Sequence, residues 1–189
     1  MGELTGKLLV APPSLDEPNF RKSVVMICHH DEHGCMGLII NRPRKLSVQQ
    51  VLDELDIKTR LDDLQRDELR CRPVYDGGPV DPMRGFILHD AWHVYENTMR
   101  INEDIHLTTS RDVLEAIGAG QGPEHYLFLL GYAGWGEQQL ERELLNNDWL
   151  IAPLSTDILF HVAPGKRWSF GIRCMGIDPG HLSEQWGHA

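Results

Sequence analysis

Residues 131–136 have the composition of a ligand-binding loop, because three glycines are interspersed there with Tyr132 and Trp135. The segment follows an apolar run and precedes a predicted helix, a position where backbone N–H groups can bind a phosphate. Its spacing matches neither common glycine-rich phosphate loop, no lysine follows it, and Glu137 would repel an anion. We therefore favour a strand-to-helix turn in which the glycines permit the backbone geometry and the aromatic rings pack, over phosphate binding.

Residues 28–35 combine thiol and imidazole side chains that could in principle hold zinc. The histidines are His29, His30 and His33, and they lie between Cys28 and Cys35. Strand alternation would place His29 and His30 on opposite faces, and no second ligand pair at metal-binding spacing follows. We predict a polar hairpin tip, reduced cysteines, and a protein that folds without metal, disulfide or cofactor.

A hydrolase would need a nucleophile beside a base, and no Gly-x-Ser-x-Gly motif occurs. Ser23, Cys28 and Cys35 could serve only if the fold brought a base to them. A small-molecule hydrolase or a thiol-dependent enzyme therefore stays open as an alternative, with no catalytic residue assigned.

Direct nucleic-acid binding is disfavoured by charge. The chain has 28 acidic and 18 basic residues, a formal net charge of -10, and its densest basic stretch is short, at residues 42–45. A helix-turn-helix needs a basic recognition helix, whereas the first predicted helix carries Asp53, Glu54 and Asp56. Direct DNA binding is the weaker alternative function.

The 189 residues, 41% of them hydrophobic, predict one domain spanning residues 1–189. Apolar runs at 23–28 and 36–40 flank a polar turn at 31–34 and predict a β-hairpin. The other predicted strands are residues 8–10, 74–75, 85–88, 126–130, 149–152 and 168–175. This many short strands indicates a large, mostly antiparallel sheet.

About three helices are expected to flank this sheet. Ser47 and Gln50 form a capping box that predicts a helix over 48–55, and residues 62–72 either continue it or are irregular. A second helix is capped by Thr109 or Ser110 and ended by Gly118, and a third runs from 136–137 to 146–147. Strands and helices do not alternate regularly, so the fold class is α+β.

Several segments, taken in order and spacing, resemble the AlgH/YqgE family of small bacterial proteins from residue 4 to about 175. They are GKLLVA (6–11), FRKSVV (20–25), GCMGLIINRP (34–43), GGPV (77–80), LH (88–89), GYAGW (131–135), QLE (139–141) and WL (149–150). The chain departs from the family's Gly-Pro-Gly-Gln type of segment with GEQQ at 136–139. The resemblance implies a single α+β domain with a bent or bifurcated, barrel-like sheet in a bacterial cytoplasmic protein. The family is often labelled a transcriptional regulator, without an established DNA-binding motif.

The N-terminal residues do not have the pattern of a secretory signal, and no apolar stretch approaches the roughly 20 residues that span a bilayer, so we expect a cytoplasmic protein without a membrane partner. We predict a noncatalytic binding or indirect regulatory module for a protein or small ligand. Loops and exposed aromatic side chains commonly carry recognition. The candidate surface is Asn41, Arg42, Pro43, Gly77, Gly78, Pro79, Tyr132 and Trp135.

Overall fold

The structure is a computed structural model that describes residues 2–181, which contain ten strands, six α-helices and one short 3-10 helix. The strands are β1 (Lys7–Val10), β2 (Val24–Asp31), β3 (Gly34–Ile39), β4 (Pro43–Ser47), β5 (Pro73–Asp76), β6 (Val80–Asp90), β7 (Thr98–Arg100), β8 (Ile105–Thr108), β9 (Tyr126–Gly136) and β10 (Leu150–Pro153). The helices are α1 (Val48–Glu54), α2 (Asp63–Cys71), α3 (Asp112–Gly118), α4 (Gln139–Leu145), α5 (Thr156–Phe160) and α6 (Pro164–Cys174).

The ten strands form one curled sheet in the order β10-β1-β2-β3-β9-β6-β8-β7, with β4 and β5 beside the main path. All pairings are antiparallel except that of β5 with β9. The first half of β9 pairs with β5 and β6, while residues 133–136 pair with β3. The sheet therefore divides along β9, which confirms the expectation of a bent or bifurcated, mostly antiparallel sheet in an α+β fold.

Both faces of this sheet are buried, so its central strands are apolar at consecutive positions. In β2, residues 24–28 are all buried, with Val24 and Met26 in the core beneath α5 and α6. Val25 and Ile27 point the other way, into a cluster shared with α4. A third cluster lies beneath α1, α2 and α3. This arrangement explains why residues 23–28 form one continuous apolar run.

The helices outnumber the predicted three. The Ser47–Gln50 capping box starts α1 as expected, and residues 62–72 hold a separate helix, α2, with its own capping box between Asp62 and Gln65. The predicted cap of α3 is wrong, because its N-cap is Arg111 with no side-chain cap bond. The left-handed glycine after α3 is Gly120 at φ 71°, whereas Gly118 is buried within the last turn of the helix.

Two other segments differ from the sequence expectation. The predicted strand at 168–175 lies in α6, which begins with Pro164 and buries Arg167, Gly171 and Ile172 at helical spacing. The predicted turn at 131–136 is strand, because residues 133–136 pair with β3 and Tyr132 pairs with Val80 of β6, and α4 begins only at Gln139. Both segments are set by contacts with distant strands, which outweigh the local pattern.

None of the helices in the described range is both long and apolar enough to cross a bilayer.

Candidate functional site

Gly77 and Gly78, the glycines of the predicted surface, pack closely against the backbone of β9. The Gly77 N–H donates to the Leu130 carbonyl at 2.9 Å, and a Cβ added at Gly78 would overlap the carbonyl group of Tyr132. Gly131 has φ 78°, and a Cβ there would overlap the carbonyl oxygen of Gly78. These glycines let the 77–79 loop lie directly on β9 where the sheet divides.

Asn41 and Arg42 hold neighbouring backbone segments together. The Asn41 Oδ1 accepts from the Val24 N–H at 2.9 Å, and its Nδ2 donates to the Lys22 carbonyl at 2.9 Å. Arg42 donates to the carbonyls of Asn19 and Arg21. Pro43 pairs with β5, beside the 77–79 loop. The polar groups of Asn41 and Arg42 are therefore occupied by the protein's own backbone.

Tyr132 and Trp135 lie on opposite faces of β9, since they are three positions apart in the strand. Tyr132 is half-buried against Phe86, with ring centroids 6.0 Å apart. Trp135 is 6% exposed and packs in the cluster beneath α4. Tyr132 is thus the more exposed of the two, as expected, but the predicted surface is split between two faces of the sheet.

A different site lies in front of α6, in a cavity of about 550 Å³ that we call the α6 pocket. The start of β9, strand β5, the end of α2 and the α5–α6 junction enclose it. The lining side chains that could bind a ligand are Arg72, Tyr75, His125, Tyr126, His161 and Arg167. Sequence reasoning missed this pocket, because its residues come from three distant segments, 68–75, 124–127 and 160–167.

Arg167 is the central residue of the α6 pocket. It is 3% exposed, and its guanidinium donates to the carbonyls of Val162 at 3.0 Å, Leu159 at 2.6 Å and Ile40. It also lies over the Tyr75 ring, 5.2 Å from the centroid. Burial lowers its pKa, and within residues 2–181 no carboxylate forms an ion pair with it. The pocket therefore contains a buried cation whose partners within residues 2–181 are carbonyl oxygens and the Tyr75 ring instead of a carboxylate.

The N-terminal end of α6 faces the same cavity, since Ala163 and Pro164 line it. The N-cap residue Ala163 has no side chain that can accept a hydrogen bond, and the first turn of α6 has no acidic residue. The first turn carries Lys166 and Arg167 instead, and their positive charges are unfavourable near the positive end of the helix dipole. A helix start of this composition favours a bound anion, and it is the one sequence signal that could have indicated the site.

The opposite wall supplies further donors. The Arg72 guanidinium stacks on the Tyr126 ring at 4.4 Å and pairs with Glu68. Burial raises the pKa of Tyr126 to about 12, and its hydroxyl has no hydrogen-bond partner within the described part of the chain. His125 and His161 meet edge to face, with centroids 5.1 Å apart. The lining thus combines the N–H groups of Arg72 and the two histidines with the carboxylates of Glu68 and Glu124, and within the described residues it contains no serine, threonine or cysteine.

The curled, mostly antiparallel sheet with its flanking helices defines a small α+β domain. A family model described as AlgH-like matches residues 8–180, and the chain belongs to that family. A UPF0301 protein of Methylococcus capsulatus is 44% identical over 98% of this chain and 96% of its own length. A UPF0301 protein of Xanthomonas campestris is 43% identical with the same coverage.

Two solved structures share the fold. The solution structure of AlgH from Pseudomonas aeruginosa is similar with a TM-score of 0.78 and 41% identity, over 98% of this chain and 96% of that one. A crystal structure of a protein from Corynebacterium diphtheriae has a TM-score of 0.73 at 22% identity, over 96% and 91% of the two chains. The second match supports the fold alone.

Proposed function

We propose that the protein is a noncatalytic binding module that holds a small anion, a carboxylate or a phosphate group, in the α6 pocket. The observation that carries the proposal is the Arg167 guanidinium, which is buried at the start of α6 with no carboxylate partner in the part of the chain that the structure describes. A regulatory effect would then be indirect and depend on whether the pocket is occupied.

The energetics of Arg167 favour this proposal. Removing a guanidinium from water is costly, and carbonyl oxygens offset that cost only in part. An anion in the pocket would add a charge-assisted partner for Arg167 and would also lie at the positive end of the α6 dipole. The carboxylate of Glu68 is already paired with Arg72, so it does not neutralise this part of the wall.

The thiol-dependent alternative finds no support at Cys28 or Cys35. Burial, and after it the neighbouring Cys35, raises the pKa of Cys28, and burial with the nearby Glu141 raises the pKa of Cys35 to about 12. Both thiols are therefore protonated near neutral pH, and the thiolate is the reactive form.

We expect a thiol reagent such as dithionitrobenzoate to distinguish the two pairs of cysteines in the native protein. Cys71 and Cys174 are exposed and should react quickly, whereas Cys28 and Cys35 are buried and should react only after unfolding. The absorbance of the released thiolate measures the count, and a denatured sample gives the full value. Rapid native reaction of Cys28 or Cys35, identified by peptide mapping, would revive the thiol alternative.

Direct DNA binding is also poorly supported, since basic residues near the short basic stretch are engaged within the protein. Arg44 pairs with Asp76 at 3.0 Å and Arg21 with Asp16 at 2.7 Å. Their charges are therefore partly neutralised before any phosphate arrives.

The test uses Ala163→Asp, which places a carboxylate at the N-cap of α6. We expect inorganic phosphate or caproate to shift the backbone amide resonances of Gly165 and Arg167 saturably in the wild type. Because an Asp at this position caps the helix, the variant should gain about 1 kcal/mol in stability. It should bind the anions about tenfold more weakly, because its own carboxylate lies at the positive end of the α6 dipole and repels a second negative charge there.

The matched control is Gln138→Asp, which adds the same charge at the N-cap of α4, outside the α6 pocket. This variant should keep wild-type anion affinity. Absence of saturable shifts in the wild type, or equal weakening by both substitutions, would refute an anion site at α6.

A further inference from the structure

A buried histidine of β6 begins a chain of hydrogen bonds that ends in the loop between β6 and β7, residues 91–97. His89 is fully buried, and its Nε2 lies 2.8 Å from the Thr108 Oγ1 on β8. That hydroxyl lies 2.7 Å from the Thr98 Oγ1 on β7, which accepts from the Tyr95 N–H at 2.8 Å. Three hydrogen bonds therefore connect the imidazole to the backbone of the loop.

The carbonyl of Asp90 sets the direction of this chain. It lies 2.7 Å from the Nδ1 of His89, and because a carbonyl oxygen only accepts, Nδ1 carries a proton. In the neutral ring Nε2 is then an acceptor, and the Thr108 hydroxyl donates to it. The Thr108 oxygen can in turn accept from the Thr98 hydroxyl. Neutral His89 therefore completes a chain in which each hydroxyl both donates and accepts.

A proton added to the Nε2 of His89 would convert this acceptor into a donor. Thr108 would have to accept from the ring and donate to Thr98, whose own hydroxyl proton would lose its acceptor. In the part of the chain that the structure describes, the ring nitrogens bond to a carbonyl and a hydroxyl and to no carboxylate. A buried charge and a displaced donor are both unfavourable, so acid weakens the chain at its loop end.

The groups that surround His89 keep it neutral at pH 7. Burial lowers its pKa, and the rings of His106 and His93 lower it further, against the opposing effects of the Asp90 carbonyl and carboxylate. The unfolded chain therefore binds this proton more readily than the native structure, and stability falls as the pH falls through the ordinary histidine range. The titratable groups facing His89 or its Tyr95 neighbour are Asp90 on β6, His93 and Tyr95 in the loop, His106 on β8, Asp112 on α3 and Tyr126 on β9.

We propose that His89 is a pH-sensitive latch, which holds residues 94–95 in place when its ring is neutral and releases them when the ring is protonated. The Tyr95 ring meets the His89 ring edge to face, with centroids 5.5 Å apart. The Tyr95 hydroxyl is buried and has no hydrogen-bond partner among residues 2–181. Water would satisfy that hydroxyl after release, so the latched segment is poised to open.

The residues on either side of this segment are held by bonds that do not depend on His89. The His106 Nδ1 donates to the His93 carbonyl at 3.3 Å, and a further proton on His106 would leave that donor in place. The Glu96 N–H donates to the Asp112 Oδ2 at 2.9 Å. An ordinary aspartate stays ionised at about pH 5, so this bond persists there. Acid is therefore expected to loosen the Tyr95 backbone while Glu96 stays in place.

Amide hydrogen exchange of the full chain, followed by NMR and corrected for the intrinsic exchange rates, tests the latch. Between about pH 7.5 and about pH 5, the protection of the Tyr95 amide should fall about tenfold, as histidine gains its proton in this range. The protection of the Glu96 amide should not change. In His89→Gln the protection of Tyr95 should no longer depend on pH. His33→Gln is the matched control, because His33 lies at the exposed tip of the β2–β3 hairpin, and it should behave as the wild type.

Equal protection of Tyr95 at the two pH values in the wild type would overturn the latch. A pH dependence that persists in His89→Gln would also overturn it, because another group would then be responsible. If His89→Gln does not fold, the nitrogen chemical shifts of the His89 ring in the wild type decide. The ring should be the neutral Nδ1–H form at about pH 7.5, and its protonation should coincide with the loss of Tyr95 protection. Loss of protection while the ring stays neutral would contradict the proposal.

Discussion

Replacing Trp135 with alanine is expected to lower the free energy of unfolding by about 3 to 5 kcal/mol. The indole is 6% exposed and packs between Phe20 and Trp149, with ring centroids 6.2 and 5.9 Å away. Its Nε1 donates to the Glu143 Oε2 at 2.7 Å, and the Trp149 Nε1 donates to the same oxygen at 2.9 Å. The substitution would leave a large void and take one of two indole donors from a partly buried carboxylate.

Denaturant unfolding measured by circular dichroism tests this value. Trp92→Ala is the matched control, because it truncates a tryptophan that is 85% exposed and should change stability by no more than about 0.5 kcal/mol. If Trp135→Ala were as stable as Trp92→Ala, the role of Trp135 in the core would be wrong, and a recognition role would have to be reconsidered.

Gly78→Ala is expected to cost roughly 2 to 4 kcal/mol, the second large effect. Gly78 has φ 147°, a backbone angle that residues other than glycine rarely adopt. The Cβ of an alanine at this position would overlap the backbone of Tyr132 and Ala133. Because backbone atoms cannot rotate out of the way as a side chain can, the 77–79 loop would have to move off β9. That movement would also disturb the hydrogen bonds from Gly77 to Leu130 and from Ile39 to Gly77.

The same unfolding measurement, applied to Gly165→Ala, provides the control. Gly165 lies in the first turn of α6, and a Cβ added there meets no atom within 4 Å. Alanine favours helix over glycine by up to about 1 kcal/mol, so this variant should match or exceed wild-type stability. A Gly78→Ala protein with wild-type stability would contradict the close backbone packing on β9.

Two histidines near the tip of the β2–β3 hairpin have carboxylate partners, one close in the sequence and one distant. The polar tip is present, but its side chains are paired within the protein. His29 contacts Asp31 at 2.9 Å and lowers the pKa of that carboxyl, while His30 contacts Glu141 on α4 at 2.8 Å. The sequence neighbours explain the first pair, whereas the second joins residues 111 positions apart.

Sequence alone determined the features that depend on local pattern or on family motifs. The β2–β3 hairpin and the start of α1 follow from apolar runs, a polar turn and a capping box, all of which act within a few residues. The α+β class followed from the irregular order of the predicted strands and helices, and the AlgH-like family followed from short motifs in a fixed order along the chain.

The tertiary structure alone decided which segments meet. Residues 133–136 became strand because β3 pairs with them, and residues 168–174 became helix because Gly171 and Ile172 pack on the sheet. The lining of the α6 pocket could not be assembled from the sequence for the same reason, since Arg72, His125 and Arg167 approach one another only after folding. Charge, spacing and hydropathy describe neighbours along the chain, whereas the burial of Arg167 depends on long-range packing.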